Sequence, residues 1–208
     1  MKDVVLVHGL WVPALVMSPL ALVLVRAGFR CHRFGYPGRT QPLAKHAERL
    51  AAFARRHAPR GAHYVGHSFG GLVVMEALLR DPTLAAGRVV LLGTPARGCA
   101  AGRQFARTGP GRWLLGASVA MWREHAAIWA RPEPLGVIAG TVPLGLGRAL
   151  GRLSGVNDGV VRVEETRVDG MTAHLSLPVG HSAMVVSPRV GRAVRGFLEM
   201  GRFPREAR

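Results

Sequence analysis

Val65-Gly66-His67-Ser68-Phe69-Gly70-Gly71 is the stretch on which the reading of this chain turns. It carries Gly-x-Ser-x-Gly between an apolar run, His63-Tyr64-Val65, and a helical pattern from Leu72 to Leu79. A strand, this pentapeptide and then a helix is the context in which the serine sits on a sharp turn, its hydroxyl exposed above a sheet. Glycines at 66 and 70 lack a Cβ, so the chain can reverse there and neighbouring backbone can approach closely. The pentapeptide alone arises by chance in a chain with 27 glycines; the flanking strand and helix give it weight.

Outward from this stretch the same alternation repeats. Val4-Val5-Leu6-Val7 is the short β-branched run expected of a strand buried on both faces of a parallel sheet. Residues 18–27 read as an apolar helix closed by Gly28, and 29–34 as a second strand. Gln41 to His57 is amphipathic, with Leu43, Ala47, Leu50 and Phe53 on one helical face. Residues 62–67 form the strand entering Ser68. Val89–Leu92, Leu135–Ala139 and Ala173–Leu177 are further strands, and Val190–Met200 a closing helix. The prediction is an α/β protein: one domain over 1–208, three layers, a doubly wound and mostly parallel sheet of about six strands.

One section is longer than a crossover needs. Residues 97–134 contain Trp113, Trp122 and Trp129, and between Arg97 and Arg152 there are eight arginines against two carboxylates. Leu115, Val119, Trp122, Ala126 and Trp129 fall on one helical face. Such a face either packs on the sheet or forms a small cap whose tryptophans and arginines meet lipid or line an acyl pocket.

Composition bounds the partners. The net charge is +16, almost all of it arginine, with lysine only at 2 and 45. A basic surface attracts anionic membranes, acidic substrates or nucleic acid. Without an RNP-type aromatic motif, zinc spacing or a basic helix, nucleic acid is not expected. An anionic membrane surface stays in view. Cys31 and Cys99 fall three strand spacings apart in the expected sheet order, roughly 14 Å, beyond disulfide reach. Two free thiols suit a reducing compartment, so a cytoplasmic protein is expected. Val4 to Val25 lacks any charge, yet His8, Gly9, Pro13, Ser18 and Pro19 interrupt it. It reads as strand, loop and helix rather than a signal or membrane helix.

A serine hydroxyl becomes nucleophilic when a base takes its proton and a third group fixes the base's tautomer. Asp158 lies in Asn157-Asp158-Gly159, a turn ahead of apolar residues, whereas Glu164, Glu165 and Asp169 sit in a charged run that reads as a solvated face. Position chooses among nine histidines. His32, His63 and His174 fall in strands; His46, His57 and His125 fall on helices, where a solvent-facing role is expected. His67 adjoins the serine and points the other way. His181, in Gly180-His181-Ser182 beyond the last strand, is on a loop at the sheet's carboxyl edge. Backbone N–H groups of Phe69 and Leu10 are the expected donors to a developing oxyanion.

His8-Gly9, Gly66-His67-Ser68-Phe69-Gly70, Asn157-Asp158-Gly159 and Gly180-His181 make the chain resemble the α/β-hydrolase superfamily, in particular small bacterial lipases and esterases of the lidless type. Leu92-Gly93-Thr94-Pro95 is similar to the segment lipases carry after the strand that follows the elbow. The resemblance spans almost the whole chain. It implies a serine hydrolase cleaving a small-molecule or lipid ester, with no metal or organic cofactor. Ser68, Asp158 and His181 would be the triad, and Leu10 and Phe69 the oxyanion donors. Trp11, His67, Thr94, Trp113 and Trp122 are the candidate pocket residues. Acyltransferase, thioesterase and amidase chemistry would use the same triad, and a basic binding module without turnover is the alternative from another class. Two departures stand out: the chain opens on the strand before the oxyanion loop, without the two strands usual ahead of it, and the stretch from Ser68 to Asp158 is longer than the lidless type carries.

Overall fold

The computed structural model describes residues 1–122, 127–144 and 153–205, with side chains of 120–122 outside the described set. The strands are β1 (Asp3–Val7), β2 (Arg30–Phe34), β3 (Ala62–His67), β4 (Ala86–Leu92), β5 (Leu135–Gly140) and β6 (Ala173–Leu177). They form a single sheet in the order β2-β1-β3-β4-β5-β6, every neighbouring pair parallel. The helices are α1 (Ser18–Arg26), α2 (Leu43–His57), α3 (Phe69–Arg80), α4 (Ala100–Ala106), α5 (Gly109–Leu115) and α6 (Pro188–Met200).

The apolar runs explain the layering. Successive strand side chains point to opposite faces, so Val4 and Leu6 of β1 pack with α1 and α6, while Val5 and Val7 pack with α2 and α3. Both faces are covered, which is why Val4–Val7 of β1 and Val89–Leu92 of β4 are unbroken Val/Leu runs rather than alternating with polar residues. Each strand was expected within a residue or two of where it lies, save β4, which starts three residues earlier. Gly28 adopts φ +87° just past α1, as a helix-terminating glycine does. Both cysteines are free. Among the described residues, no helix is long and apolar enough to cross a membrane.

The strand order has one functional consequence. The chain leaves β1 for β2 on one side, then crosses back to β3 on the other. That reversal opens a crevice at the carboxyl ends of β1 and β3, where ligands bind in open parallel sheets. His8-Gly9-Leu10 leaves one of those ends and Ser68 the other.

The helical face expected over Leu115 to Trp129 does not form as one helix. Gly116 takes φ +54°, and the chain continues as a 3₁₀ turn over Gly116–Trp122. A Cβ at 116 would fall 2.4 Å from the Arg39 carbonyl oxygen, so the break is fixed by close packing on the loop after β2. Trp129 lies beyond it, buried next to an isolated bridge between Ile128 and Asp169, its indole N–H donating to the Glu133 carbonyl at 2.8 Å. Ala126 lies outside the described residues.

Candidate active site

Ser68 is at the turn between β3 and α3 with φ 55° and ψ −127°, one of two non-glycine residues at positive φ among the described residues. Such a conformation costs roughly 1–3 kcal/mol and is kept only where the surroundings impose it. Here the turn is clamped from both sides: a Cβ at Gly70 would lie 2.3 Å from the His8 carbonyl oxygen, and one at Gly71 1.9 Å from Thr94 Oγ1. α3 therefore starts hard against β1 and the end of β4, with the serine hydroxyl lifted above the sheet.

Three side chains from distant parts of the sequence meet at that hydroxyl. His181 Nε2 is 2.9 Å from Ser68 Oγ, and His181 Nδ1 is 2.7 Å from Asp158 Oδ2. Asp158 is fully buried; its Oδ1 accepts from the backbone N–H groups of Val160 at 2.9 Å and Val161 at 2.7 Å. With Oδ1 saturated, Oδ2 faces the imidazole, and a carboxylate at that distance selects the Nδ1–H tautomer. Nε2 is then the lone-pair nitrogen facing the hydroxyl. The His181 backbone N–H also donates to the Asp158 carbonyl at 2.9 Å, which binds the two loops to each other.

Two neighbours hold the imidazole in place. His67 Nε2–H donates to the His181 carbonyl at 3.0 Å, and the two rings lie 4.9 Å apart. His67 thus packs on His181 rather than pointing away from the site. Burial pushes its pKa down to about 3, so it stays neutral and keeps that N–H at any ordinary pH. Gly93, at φ +53°, supports the other side, where a Cβ would sit 3.0 Å from Asp158 Oδ2 and 3.1 Å from His181 Nδ1. Sequence reasoning placed this glycine in a lipase-like segment without giving it a role; a glycine closing a strand at the sheet's carboxyl edge is the signal that finds it.

The expected oxyanion donors lie on either side of Ser68. Phe69 is the first residue of α3, and its ring is buried beside Tyr36 and His46. Leu10 follows Gly9, whose Cα faces Ser68 closely enough that an added Cβ would come 3.1 Å from the Ser68 Cβ. Among the described residues nothing takes up the Leu10 N–H. The loop carrying it is fixed by a buried polar pair. Tyr36 Oη–H donates to the His8 carbonyl at 2.7 Å, and the Tyr36 N–H donates to His8 Nε2 at 3.4 Å. His8 Nδ1–H then donates to the Gly9 carbonyl at 2.7 Å, and the two rings stack at 4.4 Å. Burial lowers the His8 pKa, so the neutral tautomer these bonds need is the one present.

Tyr36→Phe leaves the His8 carbonyl short of a donor in a buried site, a loss of about 1–3 kcal/mol. The expected outcome is a roughly tenfold fall in kcat with KM little changed, because the loosened loop carries the Leu10 N–H, whose expected role is to meet charge that develops only in the transition state. Steady-state kinetics on a p-nitrophenyl ester checks it; a rise in KM at constant kcat would instead assign Tyr36 to substrate binding.

Above Ser68 lies a cavity of about 360 Å³. Its walls are largely apolar, from Leu10, Trp11, Phe105, Leu115, Val160 and Val161, with Ser68, His67 and His181 at its base. That size and polarity suit a small organic ligand with few polar groups. Trp11 is the other non-glycine residue at positive φ among those described, 63°, and its indole N–H donates to the Leu114 carbonyl at 2.9 Å.

Not every expected residue is here. Thr94 is buried beneath the elbow against Gly71 and does not line the cavity. Trp113 is 66% exposed and faces outward under the Arg39 guanidinium, 4.1 Å from its ring centroid. The Trp122 side chain lies outside the described residues. Glu165, expected on a solvated face, is buried. It accepts from the Ala100 N–H at 2.6 Å and the Arg162 N–H at 2.8 Å, and pairs with the Arg162 guanidinium at 3.0 Å. It therefore anchors the start of α4, one wall of the cavity, to the loop after Asp158. His46, expected to face solvent, is fully buried 4.8 Å from Tyr36, and burial lowers its pKa. Cys99 also lines the cavity, its thiol pushed up to about 12 by burial and thus protonated.

A parallel sheet presenting a serine on a strained strand–helix turn, with a histidine and an aspartate on later loops at the same edge, defines the class of α/β proteins built around a nucleophile elbow. A family model described as "Alpha/beta hydrolase family" matches residues 4–172. The chain belongs to that family. It is similar to pimeloyl-[acyl-carrier protein] methyl ester esterases: 34% identical over 97 residues to that of Vibrio cholerae serotype O1, and 36% over 104 residues to that of Sodalis glossinidius. Those matches take in 45% and 49% of this chain and only 38% and 40% of the relatives' lengths. In fold it is similar to the mature lipase BlEst2 of Bacillus licheniformis, with TM-score 0.77, 18% identity and coverage of 97% of this chain and 92% of that one. A thermophilic esterase from Thermogutta terrifontis gives TM-score 0.71 and 18% identity over 96% and 90%.

Proposed function

We propose that the chain is a serine hydrolase that cleaves carboxylic esters through an acyl-enzyme on Ser68. The observation that carries this reading is the unbroken relay Ser68 Oγ–His181–Asp158, at 2.9 and 2.7 Å, at the base of an apolar cavity. His181 Nε2 takes the hydroxyl proton as Ser68 Oγ bonds to the acyl carbon. The carbonyl π electrons move onto oxygen, where the Leu10 and Phe69 N–H groups and the amino end of α3 stabilise the charge. Collapse expels the alcohol, which receives its proton from His181. Water then adds by the same route, with His181 again as base, and releases the acid. Asp158 keeps Nδ1 protonated throughout and stabilises the imidazolium between steps.

The likeness to two methyl ester esterases supports ester over amide cleavage. Residues 97–122, through Ala101, Phe105 and Leu115, act as the cap that gives the acyl group its apolar wall. A fluorophosphonate probe should add to Ser68, read by intact mass and peptide mapping. A series of p-nitrophenyl esters of rising acyl length should peak where the chain fills the 360 Å³ cavity and decline beyond it. Labelling elsewhere than Ser68, or faster turnover of matched amides or thioesters than of oxygen esters, would overturn the reading.

A further inference from the structure

The segments that frame the cavity mouth share an unusual composition. There is no Asp or Glu between Val4 and Ala47, nor between Pro82 and Arg123. The loop after β1, the loop after β2, and α4 and α5 come from these two stretches. They are tied into one surface. Trp11 Nε1–H donates to the Leu114 carbonyl, the Ala117 N–H donates to the Arg39 carbonyl at 3.1 Å, and the Arg39 guanidinium lies over Trp113.

That surface is both apolar and cationic. Trp11 is 52% exposed, Leu15 68% and Trp113 66%, with Val12 also exposed. Arg107 and Arg112 are exposed beside them. Among the described residues no carboxylate pairs with Arg39, Arg107 or Arg112. Elsewhere several cations are answered, Lys45, Arg80, Arg55 and Arg131 by Glu48, Glu76, Asp81 and Glu133, while Arg56 and Arg60 are as open as the rim arginines; what sets the rim apart is exposed apolar side chains beside its open cations.

We propose that this rim docks on an anionic lipid bilayer, with Trp113, Leu15 and Val12 entering the headgroup boundary and Arg39, Arg107 and Arg112 meeting lipid phosphates. Tryptophan favours that boundary because its ring is apolar and its N–H polar, and arginine keeps its head in the polar layer while its stem lies along apolar surface. An acidic protein would satisfy the arginines but gives no reason for exposed apolar side chains at Trp11 and Val12 in the cavity lining and at Leu15 and Trp113 on the segments that continue from it. Docking in this orientation turns the cavity mouth toward the membrane. It requires no turnover, so its test is independent of the hydrolytic reading.

The test is flotation of the full chain with vesicles of phosphatidylglycerol and phosphatidylcholine in equal parts, against phosphatidylcholine alone. The chain should float with the anionic vesicles only, with a blue shift in tryptophan emission, and high salt should weaken binding. Arg107→Gln and Arg112→Gln should each lower the partition coefficient about fivefold. Trp113→Ser should lower it too and reduce the blue shift. Arg56→Gln with Arg60→Gln, exposed at the opposite, amino edge of the sheet, should leave binding unchanged. Equal loss in that control would mean net charge alone drives adsorption and would overturn the proposal. So would flotation with both vesicle types, flotation with neither, or binding to soluble polyglutamate that matches vesicle binding and ignores Trp113→Ser.

Discussion

Replacing Ser68 by alanine is expected to lower kcat on an activated ester about 10⁶-fold, the loss found when the nucleophile of such a relay is removed. The size follows from what remains. His181 keeps Asp158 at 2.7 Å and still presents Nε2, but no hydroxyl stands 2.9 Å away to receive the acyl group. A bound ester would then meet only water, aided by the oxyanion donors proposed at Leu10 and Phe69. In comparable sites that background is about 10³–10⁴ above the uncatalysed rate. Alanine removes one oxygen at a position whose φ of 55° is set by the packing of Gly70 and Gly71, so the fold has no reason to change. The check is kcat beside thermal melting and probe labelling. Full turnover in a folded, unlabelled Ser68→Ala protein would place the chemistry on another group.

How far the sequence shows this site depends on the range of the interactions that make each part. Ser68 is legible because its strain is solved locally: strand, glycines and helix are contiguous. Asp158 and His181 are legible because the alternation of strands and helices puts the loops after β5 and β6 at the same edge as the elbow. Glu165 is not. Its neighbours in sequence are charged, and only the docking of α4, more than sixty residues earlier, buries it and gives its carboxylate the Ala100 and Arg162 N–H groups. His46 fails for the same reason: a helical histidine reads as solvent-facing until the loop after β2 folds Tyr36 over it. Thr94 and Trp113 show the converse error. Both are expected at the pocket, yet one faces down into the elbow and the other out over the rim. Nor does periodicity register Gly116, which ends a helical pattern because the Arg39 backbone lies where a Cβ would be.

Asp158→Asn is the sharper test of the relay, since it changes charge and hydrogen-bonding sense while keeping shape. In the native site Oδ1 accepts from the Val160 and Val161 N–H groups, so an asparagine must turn its oxygen toward them and its NH₂ toward His181. Nδ1 then has to accept, and the imidazole proton moves to Nε2, the nitrogen that faces Ser68. A protonated Nε2 cannot take the hydroxyl proton. The expected cost is about 10⁴ in kcat, or roughly 5.5 kcal/mol in the barrier, with KM little altered because the cavity walls are untouched. Probe labelling of Ser68 should slow in parallel, since it needs the same proton transfer. The opposite orientation, oxygen toward His181 and NH₂ against two backbone donors, would keep the productive tautomer but set donor against donor in a fully buried site. A loss below tenfold would mean that the protein bears that penalty and that the carboxylate charge contributes little. A loss near 10⁴ with the melting temperature lowered by only a few degrees would locate the role of Asp158 in the proton's position.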